Sequence, residues 1–188
     1  LIYERKWDKY PCLAFFEMGN QGNIGVCEGD LDSAVTSQVM RWITGRVGYV
    51  SDPVIDTSKD QIIYAHCVAC RKVYGDERAC PYYLRSHAED KKGASVQAIL
   101  PTNEPLTTVK LNHVQRNGLV HSAYSVGNDG GEAGCRTKLV AKAKADKILE
   151  NYDLLTNDWH RVTFYGDYRK EFLYLCKILG FSVCREDQ

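Results

Sequence analysis

The sequence predicts an α+β protein: the α/β tail of a Rossmann-like domain over residues 1–46, then a β-rich, antiparallel, barrel-like domain over residues 47–188. Three observations carry this expectation. An early pair of short apolar runs leads into an amphipathic segment that starts and stops like a helix. The middle of the chain holds many short segments of alternating character between turn residues. The chain then closes on a strand, helix and strand pattern, with no internal repeat and no low-complexity stretch.

The first unit rests on Cys12–Phe16 and Ile24–Cys27, apolar runs of the length and type of buried strands. Residues 30–45 follow as a helix, with Asp30 suited to the N-cap and Gly45 to the stop. Leu31, Val35, Val39 and Trp42 make one apolar face of it. Strand then helix is an α/β unit, and ligands in open α/β sheets gather at the carboxyl ends of strands, where Glu28 stands.

The second unit reads as strands at 47–50, 61–66, 94–100, 106–111, 118–125 and 137–141, separated by turn-rich stretches at 101–105 and 127–134. Many short strands at this spacing favour an antiparallel sheet or barrel. The close is a strand at 162–164, a helix from Asp167 to Leu179 with Gly180 as its stop, and a strand at 181–184.

Composition narrows the function classes. Lys and Arg total 24, as do Asp and Glu, so no basic field draws nucleic acid or an anionic membrane surface. No apolar run approaches the roughly 18 residues that span a bilayer, and the charged start has no signal-peptide core. The chain begins with Leu, which suggests a piece of something longer. Eight cysteines without a secretion signal read as mostly reduced thiols in a cytoplasmic protein. A disulfide framework is the lesser alternative, because a chain of this size does not need staples.

Four residues are candidate site groups, each with an ordinary explanation beside it. Glu28 precedes a helix start, where the dipole alone favours a carboxylate. Asp52 precedes Pro53 and so sits in extended backbone, which also suits simple turn chemistry. His66 ends an apolar strand and His160 follows Trp159 at the start of another; either could be a hydrogen-bonded core histidine.

Taken together, Glu28, Asp52 and His160 resemble the metal site of the L-fucose isomerase and L-arabinose isomerase family. The Glu-x-Asp of residues 28–30, followed by a helix, is similar to that family's first ligand segment. The step of 24 residues from Glu28 to Asp52, passing through Ile43–Gly45, is similar to the L-fucose isomerase spacing. His160 with Val162, Gly166 and an apolar helix beyond resembles the segment carrying the histidine ligand. His66 is placed like an additional histidine ligand of the arabinose isomerase branch. The resemblance runs in order along nearly the whole chain, but covers only the C-terminal part of a family protein.

The resemblance implies an L-fucose isomerase-type C-terminal domain, a homo-oligomeric full-length protein, and N-terminal domains that complete the site from a neighbouring subunit. It implies a bound Mn²⁺ (or Mg²⁺ or Co²⁺) held by Glu28, Asp52, His160 and His66, in keeping with the preference of hard divalent ions for carboxylate and imidazole without thiolate. It implies aldose–ketose isomerisation of a pentose or deoxyhexose through an enediol, with Glu28 and Asp52 as ligands and as the acid/base pair. Which of the two takes the proton is open. Trp159 is the aromatic best placed to stack on sugar, and Arg85 and Arg136 are candidates to bind its hydroxyls, with surface ion pairing the favoured ordinary explanation of both arginines. One alternative is a non-catalytic carbohydrate-binding or regulatory module. Another is a zinc module on Cys67 and Cys70, with Cys80 as a single further thiol.

Overall fold

The computed structural model describes residues 10–75, 78–153 and 158–188. Helix α1 (Cys12–Asn20) is followed by a 3₁₀ turn (Cys27–Gly29) and helix α2 (Leu31–Thr44). Strands β1 (Tyr49–Asp56), β2 (Gln61–His66), β3 (Tyr82–Arg85), β4 (Ser95–Ala98), β5 (Pro105–Asn112), β6 (Asn117–Asn128) and β7 (Thr137–Lys142) come next. The chain ends with α3 (Ala145–Glu150), β8 (Arg161–Tyr165), α4 (Arg169–Leu179) and β9 (Ser182–Arg185).

Six strands close an antiparallel barrel in the order β5, β8, β1, β2, β7, β6 and back to β5. Closure leaves none of the six with a free edge. The long β6 makes it possible: it pairs with β5 from Asn117 to Tyr124, and with β7 from Tyr124 to Asn128 across an irregularity between Ser125 and Gly127. Strand β9 adds parallel to β6, and β3 with β4 form a separate hairpin. The expected β-rich barrel is therefore present, and every strand expected from 47 onward overlaps an observed one.

Alternation along the strands divides the core in two. Ile62, Tyr64, Leu106, Leu139 and Tyr165 belong to one buried cluster. Val109, Val120, Val162 and Phe164 belong to another, packed with Met40 of α2 and with Phe172 and Cys176 of α4. Each fully buried side chain of this kind contributes roughly 1.5–3 kcal/mol. The barrel also holds a buried polar chain: Thr108 Oγ1 donates to the Tyr64 hydroxyl, Tyr64 meets His121 Nε2 at 2.8 Å, and His121 Nδ1 meets Glu186 at 2.7 Å. Arg161 completes it with an ion pair to Glu186 at 2.9 Å.

The first 46 residues differ from expectation. Cys12–Phe16 is helical, and no strand forms at 24–27. A five-residue apolar run fits a buried strand or a buried helix turn equally well. Here Cys12, Phe16 and Gly19 fall on one helical face and are buried, with the Phe16 ring tilted against Tyr82 at 4.8 Å between centroids. Residues 10–46 thus carry two helices and no strand, and no Rossmann-like unit is seen among them; residues 1–9 lie outside the described set.

Helix α2 begins and ends where expected, with the Asp30 side chain accepting from the Ser33 amide at 2.8 Å and Gly45 left-handed at φ 68°. Its buried face is not the apolar one. Ser33, Thr36, Ser37 and Met40 are buried, while Leu31, Val35 and Trp42 are exposed. Thr36 explains the choice: its hydroxyl donates to Asp32 O at 2.6 Å and accepts from the Leu111 amide at 2.9 Å, so α2 caps an otherwise unpaired strand donor. No helix among the described residues is long and apolar enough to cross a membrane.

Candidate metal centre

Five residues from widely separated elements converge. The 3₁₀ turn before α2 supplies Glu28, the N-cap of α2 supplies Asp30, the middle of β1 supplies Asp52, the end of β2 supplies His66, and the residue before β8 is His160. The register of β1 against β2 sets Asp52 opposite Ala65, one residue from His66. The register of β1 against β8 sets Ser51 opposite Arg161, one residue from His160.

His160 is the centre of the group and is 3 % exposed. Its Nδ1 lies 3.0 Å from Asp30 Oδ2. Its Nε2 lies 3.5 Å from Asp52 Oδ1 and 3.8 Å from Glu28 Oε2. Asp30 therefore holds the Nδ1 proton and turns the Nε2 lone pair toward the two carboxylates, the arrangement by which a carboxylate orients a ligating imidazole. His160 Nε2 is buried and has no hydrogen-bond partner. Burial opposes protonation of His160, but the Asp30 hydrogen bond and the charges of Asp52, Asp30 and Glu28 outweigh it and raise its pKa.

Glu28 reaches this position through a strained backbone. Its φ is 62° and its ψ 13°, left-handed values unusual for a non-glycine residue. Such a conformation costs of order 1–3 kcal/mol and persists only where the surroundings enforce it. Asp52 is partly exposed, and burial together with the nearby Glu28 charge raises its pKa, although His160 pulls the other way. Paired carboxylates with one pKa raised are a frequent mark of functional sites.

His66 joins the group with its ring 5.2 Å from that of His160. Glu28, His66 and His160 each offer a ligand atom within 4.8 Å of the others. His66 Nδ1 accepts from the Cys67 amide at 2.9 Å, so the neutral ring carries its proton on Nε2, which has no partner. Burial, then the neighbouring His160, lower the His66 pKa to about 4, which keeps the ring neutral.

Two buried, unpartnered imidazole nitrogens facing carboxylates are the observation against which a metal is tested. Neighbouring ligand atoms around an octahedral divalent ion stand about 3 Å apart. The Nε2 separations to Asp52 and Glu28 are somewhat wider, and both carboxylates lie on partly exposed side chains free to close the gap. Glu28 and His160 fit a hard divalent cation, and Asp52, 3.5 Å from His160 Nε2 but outside the tight group with Glu28, would have to move to join them. His66 in this tautomer presents a proton at Nε2 rather than a lone pair.

No model of a known protein family and no curated protein matches the chain.

Sequence reasoning missed two contributors. Asp30 is more than a cap, since it also binds His160 and receives Lys110 Nζ at 3.0 Å. Lys110 is 1 % exposed and lies 3.6 Å from Asp158 as well. Burial disfavours the Asp30 charge, but His160, Ser33 and Lys110 overcome it and hold its pKa well below the usual range. The only sequence signal for Lys110 is a lysine inside an otherwise apolar strand, Val109 to Leu111.

The expected sugar-binding arginines are otherwise engaged. Arg85 pairs with Glu132 and donates to Gln97 at 2.6 Å. Arg136 is buried, donating to Ser86 O and to Glu132, both at 2.8 Å. These bonds occupy the guanidinium faces in a structural cluster by the β3–β4 hairpin. Trp159 is 63 % exposed beside His160, with its carbonyl accepting from the Tyr152 hydroxyl. The Cys67 and Cys70 pair does not share a site: Cys70 packs with its Cβ against Gly19, and Cys67 has other partners. All eight cysteines are free thiols.

Proposed function

We propose that this chain is the metal-binding, C-terminal portion of an aldose–ketose isomerase of the L-fucose and L-arabinose isomerase type. The observation that supports the reading is the meeting of Glu28, Asp52 and His160, distant in sequence, around a buried Nε2 with no hydrogen-bond partner. A Mn²⁺, Mg²⁺ or Co²⁺ ion held by Glu28, Asp52 and His160 would grip two adjacent sugar oxygens and stabilise the negative charge of an enediol.

The chain's own groups then divide the remaining work. Glu28 and Asp52 carry carboxylates on one side of the site, where one removes a proton from a sugar carbon and returns it to the next. A raised pKa suits Asp52 to that exchange nearer neutral pH. Asp30 keeps His160 in the tautomer that leaves Nε2 unprotonated for the metal. His66 Nε2–H is placed to donate to a sugar oxygen. Trp159 offers an exposed ring for stacking against the sugar face.

The half-exposed carboxylates, and the exposed Leu31, Val35 and Trp42 on α2, support a site completed by further protein. In the isomerase reading that enclosure comes from N-terminal α/β domains and a neighbouring copy in a homo-oligomer, so this chain alone binds metal but turns over poorly. The deciding experiment is thermal unfolding with Mn²⁺. The metal is expected to raise the melting temperature, and Glu28→Gln or His160→Ala to remove the rise. A chain indifferent to Mn²⁺, Mg²⁺ and Co²⁺ would sink the reading.

A further inference from the structure

A second cluster lies on the far side of His66, built from thiols. Cys12 of α1, Cys67 after β2 and His87 after β3 each offer a ligand atom within 4.8 Å of the others. Cys12 is 4 % and Cys67 3 % exposed. The Cys135 side chain, ahead of β7, also lies beside Cys67. Three segments widely spaced in sequence bring two sulfurs and one imidazole together, and Cys135 approaches Cys67 from a fourth.

The surroundings hold these groups in place. Tyr10 stacks on His87 at 4.0 Å between ring centroids and 7° between planes. His87 Nδ1 is buried with no hydrogen-bond partner, its nearest carboxylate being Asp90 at 3.6 Å. The Arg136 side chain donates to Ser86 O at 2.8 Å, tying the residue before His87 to the residue after Cys135.

We propose that Cys12, Cys67, Cys135 and His87 form a structural zinc site, distinct in chemistry and position from the carboxylate site at Glu28. Zinc–sulfur bonds of about 2.3 Å and zinc–nitrogen bonds of about 2.0 Å set tetrahedral ligands some 3.5–3.8 Å apart. The ligand atoms of Cys12, Cys67 and His87, within 4.8 Å of one another, need only a small contraction to meet that geometry, and the Cys135 side chain has to swing in to complete it. Soft thiolates select zinc over the hard ions suited to Glu28 and Asp52. Binding releases the thiol protons and cross-links α1, the end of β2, the hairpin and β7. It would also fix the Cys67 amide that sets the His66 tautomer.

The test uses the full chain loaded with Co²⁺ in place of zinc. The expected spectrum shows thiolate-to-cobalt charge transfer in the near ultraviolet and the intense visible bands of a tetrahedral ion. Adding zinc should bleach both. Cys12→Ser or Cys67→Ser should abolish the spectrum, and Cys135→Ser should cut the charge-transfer intensity by about one-third. Cys70→Ser and Cys80→Ser should leave it unchanged. Glu28→Gln and His160→Ala should also leave it unchanged, so this site stands or falls apart from the isomerase reading. A wild-type chain with no charge-transfer band would overturn the proposal, as would a Cys12–Cys67 disulfide in protein prepared without air. Should the variants fail to fold, alkylation of the wild-type chain read by mass spectrometry decides. Zinc should shield Cys12, Cys67 and Cys135 until a chelator is added, and equal labelling with and without zinc counts against the site.

Discussion

Asp30 Oδ2 stands 3.0 Å from His160 Nδ1, so one carboxylate both starts a helix and fixes a histidine tautomer 130 residues away. The same oxygen receives Lys110 Nζ at 3.0 Å. The other oxygen accepts from the Ser33 amide. Helix start, barrel strand and candidate metal ligand are thereby held in one hydrogen-bonded unit. Preorganisation of this kind keeps Nε2 of His160 open toward Glu28 and Asp52 without a metal being present to direct it.

Asp30→Asn separates these roles. Asparagine caps helices about as well as aspartate, so α2 should persist by circular dichroism. The loss of charge should lower the His160 pKa, readable in an NMR titration of the ring, because the Asp30 hydrogen bond opposes the burial that depresses it. Loss of the orienting carboxylate should weaken Mn²⁺ binding by roughly 10- to 100-fold. An unchanged Mn²⁺ affinity would show that Asp30 acts only as a cap.

Glu28→Gly should make the metal-free protein more stable by about 1 kcal/mol, since glycine adopts φ 62° without the steric cost that glutamate bears there. It should also remove all stabilisation by Mn²⁺. Glu28→Gln keeps the strain and loses the charge, so it should lose the metal response without that gain. Urea unfolding of the three proteins, with and without Mn²⁺, separates strain from charge. Equal metal-free stability of the glycine and glutamine variants would mean the left-handed turn carries no strain.

The barrel was legible because short apolar-rich runs bounded by turn residues mark strands whatever they pair with, as in residues 61–66 and 106–111. Its closure was not, since β5 pairing with β6 and β8 depends on twist and register rather than on local sequence. Glu28, Asp52, His66 and His160 each had an ordinary explanation by residue type, and only a family resemblance grouped them; the structure brings those four near one another. The work of Asp30 and Lys110 was hidden, because a capping aspartate and a lysine in a strand each have an ordinary local explanation. Cys12–Phe16 was ambiguous for the opposite reason: too few residues to express a period.

Helix α2 misleads a reading by apolar stripe, and mutations on its two faces should show it. Met40 is fully buried between α2 and the barrel, and Met40→Ala should cost roughly 2–5 kcal/mol. Trp42 is 76 % exposed, and Trp42→Ser in this chain should change stability by no more than about 0.5 kcal/mol. Denaturant unfolding distinguishes the two. A large loss at Trp42 and none at Met40 would mean that α2 packs by its apolar stripe after all.

Glu186 should govern the acid limit of the fold. It is fully buried against His121 at 2.7 Å and Arg161 at 2.9 Å. Burial alone would raise its pKa, but the His121 hydrogen bond and the Arg161 charge overcome that and lower it below the usual 4.5. A carboxylate depressed in the folded state brings stability that is complete above its unfolded pKa and is lost as pH falls through the folded value. Unfolding free energy should therefore drop steeply below about pH 4.5, the region in which the unfolded chain takes up the proton first. Glu186→Gln should flatten that acid limb. It should also cost about 3–5 kcal/mol near neutral pH, because Arg161 stays buried without its carboxylate. Urea unfolding of both proteins between about pH 7 and pH 3 reads the two effects together. An acid limb that survives in the glutamine variant would assign the acid sensitivity to the other depressed carboxylates, Asp30 with His160 and Lys110 or Asp187 with Arg169.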